Sequence, residues 1–228
     1  ISFLFFQTVL LILVSNTCLK AQDKNELKIS FWNVENLFDL DNDPEKNDDE
    51  FAKGGRKNVT QEIYDLKLEN CSEVLQDLNA DVLGICEVEN RFMLEELNRS
   101  FLDRDYSIVH YDSPDNRGID CALLYDKKVF TLLESKPIRN TLPGNLSTRD
   151  ILHAKGLFEG ELLHIFVNHW PSNYGGREKA IPKRAATSDL LENLLLDILE
   201  VDPHANIVLI GDFNEEPTDS NITELKDM

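Results

Sequence analysis

Gly211-Asp212-Phe213-Asn214 follows the apolar run Asn206-Ile207-Val208-Leu209-Ile210, which reads as a buried strand. Chemistry in open α/β architectures collects where strands end, so a carboxylate and an amide at this position draw attention. Side chains two apart on an extended segment face the same way, which sends Asp212 and Asn214 into one cleft. The carboxylate can take a proton or orient a water, and the amide can donate to a developing oxyanion. Alone, such a pair is more often a turn than a site. Similar side chains close other predicted strands: Asn33 after Lys28, Glu87 after Asp81, and His169 after Leu162–Val167. A lone His at a strand end is usually structural, and it gains a role only with a partner. By position, Asp120 is the carboxylate expected to hold its tautomer. Arg117, Arg149, Asn173 and Arg184 are the candidates for contacting phosphate, since a guanidinium matches phosphate oxygens two at a time. Arg177, Lys179 and Lys183 share the basic stretch with Arg184.

The elements that must position these groups are legible. The spacing predicts an amphipathic helix over 58–79, opened by Asn58 and Gln61, with Ile63, Leu66, Cys71, Val74, Leu75 and Leu78 on its apolar face. A shorter helix is expected from Phe92 to Ser100, and a long one opening at Pro182 with Leu191, Leu194, Leu195 and Ile198 buried. Between them lie strands at Tyr106–Tyr111, Ile119–Tyr125, Val129–Lys136, Ile151–Glu159 and Leu162–Val167. Helices alternating with strands and hairpin-like pairs predict an α/β protein with mixed sheets.

The ordered set WNVEN (32–36), ICEVEN (85–90), RGIDCALLY (117–125), NHWPSN (168–173) and IGDFN (210–214) resembles the endonuclease/exonuclease/phosphatase superfamily. These are the metal-dependent phosphodiesterases related to deoxyribonuclease I, apurinic endonucleases and sphingomyelinases, and the likeness is to their secreted bacterial branch. The resemblance implies a four-layer sandwich, two mixed sheets packed face to face with helices outside. It makes Glu87 the main metal ligand with Asn33 in support, Asp212 the group that orients or deprotonates water, and Asn214 a donor to the non-bridging oxygen. His169 would donate there too or protonate the leaving group. Carboxylate and amide oxygens suit Mg²⁺, with Mn²⁺ or Ca²⁺ as alternatives. The implied substrate is a phosphodiester, foremost nucleic acid. A phosphomonoesterase or lipid phosphodiesterase is the runner-up, and a non-catalytic exported binding domain the third reading. The family's late Ser-Asp-His segment has no counterpart before Met228, so the expectation is a domain lacking its C-terminal part and weak or absent activity of the chain as it stands.

Length and composition bound the rest. The 228 residues, 42% of them apolar, suffice for one domain with a proper core. A formal charge of −19, from 23 basic and 42 acidic side chains, opposes sequence-blind binding of polyanions and requires a local cation to offset it. Phe3 to Val14 reads as the apolar part of a secretory signal with cleavage after Ala21, which divides the chain into residues 1–21 and a domain at 22–228. That run is too short to span a bilayer, so the expected place is outside the bacterial cytoplasm, without stable membrane insertion. Cys71, Cys86 and Cys121 are expected as buried thiols, a Cys86–Cys121 bridge requiring neighbouring strands. Asp39, Asp41, Asp43 and Glu50 imitate a calcium loop, but Pro44 stands where Gly is needed, so a solvated acidic loop is expected. Oligomeric state is not encoded legibly.

Overall fold

The computed structural model describes residues 26–101 and 104–228. The expected signal segment, with its apolar run and Cys18, lies outside the described residues. In chain order come β1 (Ile29–Leu37), α1 (Gln61–Leu78), β2 (Val82–Val88), α2 (Arg91–Arg99), β3 (Ser107–His110), β4 (Asp120–Tyr125) and β5 (Thr131–Ile138). A small hairpin of β6 (Thr141–Leu142) and β7 (Leu146–Ser147) follows, then β8 (Ile151–Phe158), β9 (Glu161–His169), α3 (Arg177–Val201), β10 (Asn206–Asp212) and α4 (Ser220–Lys226).

Two four-stranded mixed sheets result, ordered β1-β2-β4-β3 and β10-β9-β8-β5. In each, one parallel pair lies at the edge, β1 with β2 and β10 with β9, and the other pairings are antiparallel. Three apolar clusters make the layers. Leu75 of α1 and Leu94 of α2 pack with Leu83 and Ile85 of β2 on one outer face. Val82 and Cys86 meet Ile165 and Val167 between the sheets. Phe166 and Trp170 meet Leu191 and Leu195 of α3 on the other outer face. This is the expected sandwich, α/β/β/α. The sheets approach closely at Gly84, where an added Cβ would lie 2.6 Å from Ile210 Cδ1. No described helix is long and apolar enough to cross a membrane.

Several expectations need correction. The first helix starts at Gln61 with Thr60 as its cap, Oγ1 accepting from the Ile63 N–H at 3.3 Å, whereas Asn58 sits in a left-handed turn before it. Of its predicted stripe, Cys71 and Leu75 are buried but Ile63 and Leu66 are 49% and 54% exposed. The stripe that packs on the core is rotated to Tyr64, Leu68, Cys71, Leu75 and Leu78, and Ile63 lines a groove with Phe38 and Phe51 instead. The third helix begins five residues before Pro182. Pro182 therefore lies in the second turn, where its missing N–H forgoes one intrahelical bond to the first turn, and the helix runs on past it. Finally, Ile207 to Ile210 are half-buried rather than buried, since β10 is an edge strand among the described residues. Cys86 and Cys121 do face each other across β2 and β4, yet both thiols are free, and burial pushes each well above the usual range.

Candidate active site

Glu87 occupies a kink in β2. Pairing is regular through Cys86 on both sides and resumes at Val88, leaving Glu87 as a bulged residue with φ 63°. A bulge re-aims one side chain, and left-handed backbone in a glutamate costs energy that the flanking strands must sustain. β1 is irregular beside it, with Glu35 at φ 55° and Asn36 at φ 62°. Gly211 of β10 also has no substitute, because a Cβ there would stand 2.3 Å from the Asn168 carbonyl oxygen.

These distortions bring four side chains from four strands into a ring. Asn33 Nδ2 donates to Asp212 Oδ2 at 3.1 Å, across the gap between the sheets. Asp212 pairs in register with His169 on β9. His169 Nε2 lies 3.5 Å from Glu87 Oε1, and Glu87 follows Cys86, which pairs with Asn33. Glu87 and Asp212 therefore stand at neighbouring strand ends, each against a side chain of the opposite sheet, His169 for Glu87 and Asn33 for Asp212. The donors suit a hard divalent cation. Glu87 is a partly exposed carboxylate. Asn33 Oδ1 accepts the Glu35 N–H at 2.8 Å, and a second lone pair remains for a ligand.

Asn214 reaches the same place by a route the alternation of a strand does not provide. β10 ends at Asp212, and Asn214 turns left-handed at φ 51°. Its N–H donates to Asp212 Oδ1 at 3.0 Å and its Nδ2 to the Trp170 carbonyl at 3.0 Å, leaving one amide hydrogen for a ligand. Asp212, Asn214, Asn173 and Arg177 line a cavity of about 400 Å³.

Three expectations fail on contact. Asp120 is not the partner of His169: it accepts from Ser113 N–H at 2.8 Å and lies 3.0 Å from His110 Nε2. His169 Nδ1 is buried with no hydrogen-bond partner among the described residues. Burial, reinforced by the positive charges of Arg149 and Arg117, pushes its pKa down to about 2. The imidazole is thus neutral, a hydrogen-bond donor and not an acid. Arg149 and Arg184 are not free phosphate ligands either. Arg149 is buried against Asp115 Oδ2 at 3.2 Å and the Trp170 carbonyl at 2.9 Å. Arg184, 2% exposed, is spent on Glu215 Oε1 at 2.7 Å and Asn173 Oδ1 at 2.9 Å. It orients Asn173, whose Nδ2 stays available, and ties α3 to the loop after Asp212. Arg117 is partly exposed beside Asp115 at 3.7 Å, and Arg177 is the cation of the basic stretch that faces solvent beside the cavity. Arg177 shares the basic stretch with Arg184, and its i−7 spacing puts the two on one face of α3, with burial separating their tasks.

Comparison with known proteins identifies the family and the fold. Residues 28–227 match the Endonuclease/Exonuclease/phosphatase family. A search of curated protein sequences finds no match. Among solved structures, D. rerio TDP2 complexed with single strand DNA product is 19% identical, with a TM-score of 0.57, covering 89% of this chain and 66% of that one. A Bacteroides thetaiotaomicron mannosyl-6-phosphatase is 15% identical, with a TM-score of 0.58, covering 86% and 68%. ANGEL2, a 2',3'-cyclic phosphatase, is 17% identical, with a TM-score of 0.59, covering 88% and 56%. At such identities the likeness is one of fold, and the chain spans 56–68% of the length of these three structures.

Proposed function

The chain belongs to the endonuclease/exonuclease/phosphatase family, and from that premise we propose that it hydrolyses phosphodiesters, with nucleic acid as the substrate class, using Mg²⁺. Members of that family are hydrolases of phosphate esters that use divalent metals, which sets the reaction type. The single observation that carries the finer reading is the ring of Asn33, Asp212, His169 and Glu87 at four strand ends.

Glu87 and Asn33 would hold the cation, which when bound neutralises phosphoryl oxygens and steadies the leaving alkoxide. Asp212 has two donors on its carboxylate, from Asn33 and the Asn214 backbone, and these fix its orientation toward the cavity. It orients an attacking water and accepts its proton. Neutral His169 and the free amide hydrogen of Asn214 donate to the non-bridging oxygen, where charge grows in the transition state. Protonation of the leaving group is not assigned to His169, because burial keeps it a neutral imidazole at neutral pH, which donates a hydrogen bond but is not the acidic imidazolium. Asn173 and Arg177 receive the flanking phosphate on a molecule whose net charge of −19 otherwise repels it.

The test compares bis(4-nitrophenyl) phosphate, 4-nitrophenyl phosphate, a sphingomyelin analogue and plasmid DNA, each with Mg²⁺ and with EDTA. Cleavage of the diester and of DNA, abolished by EDTA, is expected. Turnover of the monoester or the lipid alone would transfer the chain to the runner-up reading. Inertness toward all four would leave an exported binding domain.

A further inference from the structure

The backbone of Trp170 joins three of the loops around the site. Its N–H donates to the Asp212 carbonyl at 2.8 Å. Its carbonyl accepts twice, from Asn214 Nδ2 at 3.0 Å and from Arg149 Nη2 at 2.9 Å, which uses both of its lone pairs. Trp170 follows β9 and Asn214 follows β10, whereas Arg149 stands between β7 and β8. The guanidinium also reaches the other sheet. Its Nη1 donates to Asp115 Oδ2 at 3.2 Å, and Asp115 Oδ1 accepts the Arg117 N–H at 2.9 Å. Asp115 and Arg117 lie between β3 and β4, so one side chain ties loops of both sheets together.

A buried arginine paired with a carboxylate is an ordinary brace, and the pair alone would mean nothing. What sets Arg149 apart is the donor it leaves unmatched. Its side chain is 9% exposed, yet Nε is buried with no acceptor among the described residues. Burying a charged donor without an acceptor costs stability, so the arrangement is poor if folding is its only purpose. The nitrogens that are matched hold the Trp170 carbonyl and Asp115. The Asn214 amide is planar, so fixing one N–H on that carbonyl fixes the direction of the other as well. A carbonyl free to swing would release the second hydrogen, and misplacement by about 1 Å costs about 10²-fold in rate. This second hydrogen is the one offered to the non-bridging oxygen.

We propose that Arg149 is a positioning residue: braced on Asp115, it clamps the Trp170 carbonyl and thereby sets the direction in which the Asn214 amide donates to the phosphoryl oxygen. Arg149 acts through Asn214 and has no contact of its own with the substrate to make. Lysine cannot take its place, because an ammonium on a flexible stem lacks the rigid fork that spans a carbonyl and a carboxylate. The kinetic consequence rests on the phosphodiesterase reading, whereas the setting of the Asn214 amide does not.

Two measurements test this on the unaltered chain, Arg149→Lys, Asp115→Asn, Asn214→Ala and the double variant Arg149→Lys/Asn214→Ala. The first is nuclear magnetic resonance of side-chain amides, the Asn214 pair being identified by its disappearance in Asn214→Ala. In Arg149→Lys the Asn214 signals should shift and exchange faster with solvent, while those of Asn98, tied to the Tyr106 carbonyl at 2.9 Å on α2, should not move. Asp115→Asn should show a smaller change of the same kind, and it carries the test if Arg149→Lys does not fold. The second is kcat for bis(4-nitrophenyl) phosphate with Mg²⁺. Asn214→Ala should lower it by about 10²–10³-fold, the range for a lost transition-state donor. Arg149→Lys should lower it by about tenfold or more in the unaltered background but by less than about twofold in Asn214→Ala, where the group it positions is gone. An arginine that only supports the fold would cost the same factor in both backgrounds. That result, or Asn214 signals unmoved by both Arg149→Lys and Asp115→Asn, would overturn the proposal. If the unaltered chain hydrolyses no diester, the phosphodiesterase reading fails, and the amide signals by themselves decide the role of Arg149.

Discussion

The ring around Glu87 and the nearby cavity of about 510 Å³, lined by Asp39, Asp41, Asp43, Glu45 and Glu89, are built from the same residue types, yet they solve opposite problems. In the ring, each carboxylate sits at a strand end, and strand register brings amide donors from elsewhere in the chain to meet it: Asn33 meets Asp212 across 179 positions. In the cavity, most acids are held by their own loop. Asp39 takes the Asp41 N–H and Asp43 takes the Glu45 N–H, local turns that satisfy one oxygen and aim nothing at a substrate. Long-range pairing fixes geometry well enough for chemistry, while local turns produce charge density without orientation. The first region should therefore govern turnover, and the second should leave it unchanged.

The sharpest contrast is between Asp212→Asn and Asp43→Asn. The first should reduce turnover of a phosphodiester by about 10²–10⁴-fold, the range for a lost general base, with the circular dichroism spectrum unchanged. The second should leave turnover within about twofold at saturating Mg²⁺, as for a surface substitution. Comparable losses in both would erase the distinction. Next in size is Arg184→Ala, which strands the nearly buried Glu215 carboxylate and should cost about 3–5 kcal/mol in urea unfolding. Arg184→Lys should keep most of that stability but lower kcat/KM, since one ammonium cannot hold Glu215 and Asn173 in the same fork. A lysine variant with unchanged kcat/KM would show that Arg184 only supports the fold.

The smallest effect concerns pH, far from either acidic region. His153 Nε2 and His164 Nδ1 are 3.0 Å apart on neighbouring strands, one donating and one accepting, so both rings are neutral. Burial pushes His153 down to about 4, with His164 and nearby lysines adding to the shift, and burial also lowers His164. The unfolded chain takes up protons near pH 6.5, which the folded one resists, so stability is complete above 6.5 and declines as pH falls toward 4. Each such histidine contributes a slope of up to about 1.4 kcal/mol per pH unit in that window. His153→Gln should flatten the slope in urea unfolding at pH 4.5 to 6.5, and an unaltered slope would remove the pair as its source.

Much of this was readable from residue order. Apolar β-branched runs announced β2, β9 and β10, and the groups closing them, Glu87, His169 and Asp212, do converge. What stayed hidden depended on backbone departures or on partners that pattern does not reveal. The left-handed turn at Asn214 replaces the alternation expected of a strand, so the residue arrives in the cavity with one hydrogen already committed. Asp120 found His110 across a hairpin, a pairing set by the β3–β4 register and not by motif order. Arg184 resembles a phosphate ligand in sequence because type and spacing do not show that α3 buries it.

The most direct measurement is a double-mutant cycle on Glu87→Gln and Asp212→Asn, reading kcat/KM for bis(4-nitrophenyl) phosphate at saturating Mg²⁺. Groups that act on one phosphate as a unit lose their effects together, so the double variant should be no slower than the slower single one, within about threefold. Losses that multiply, each substitution costing its full factor regardless of the other, would contradict a shared site.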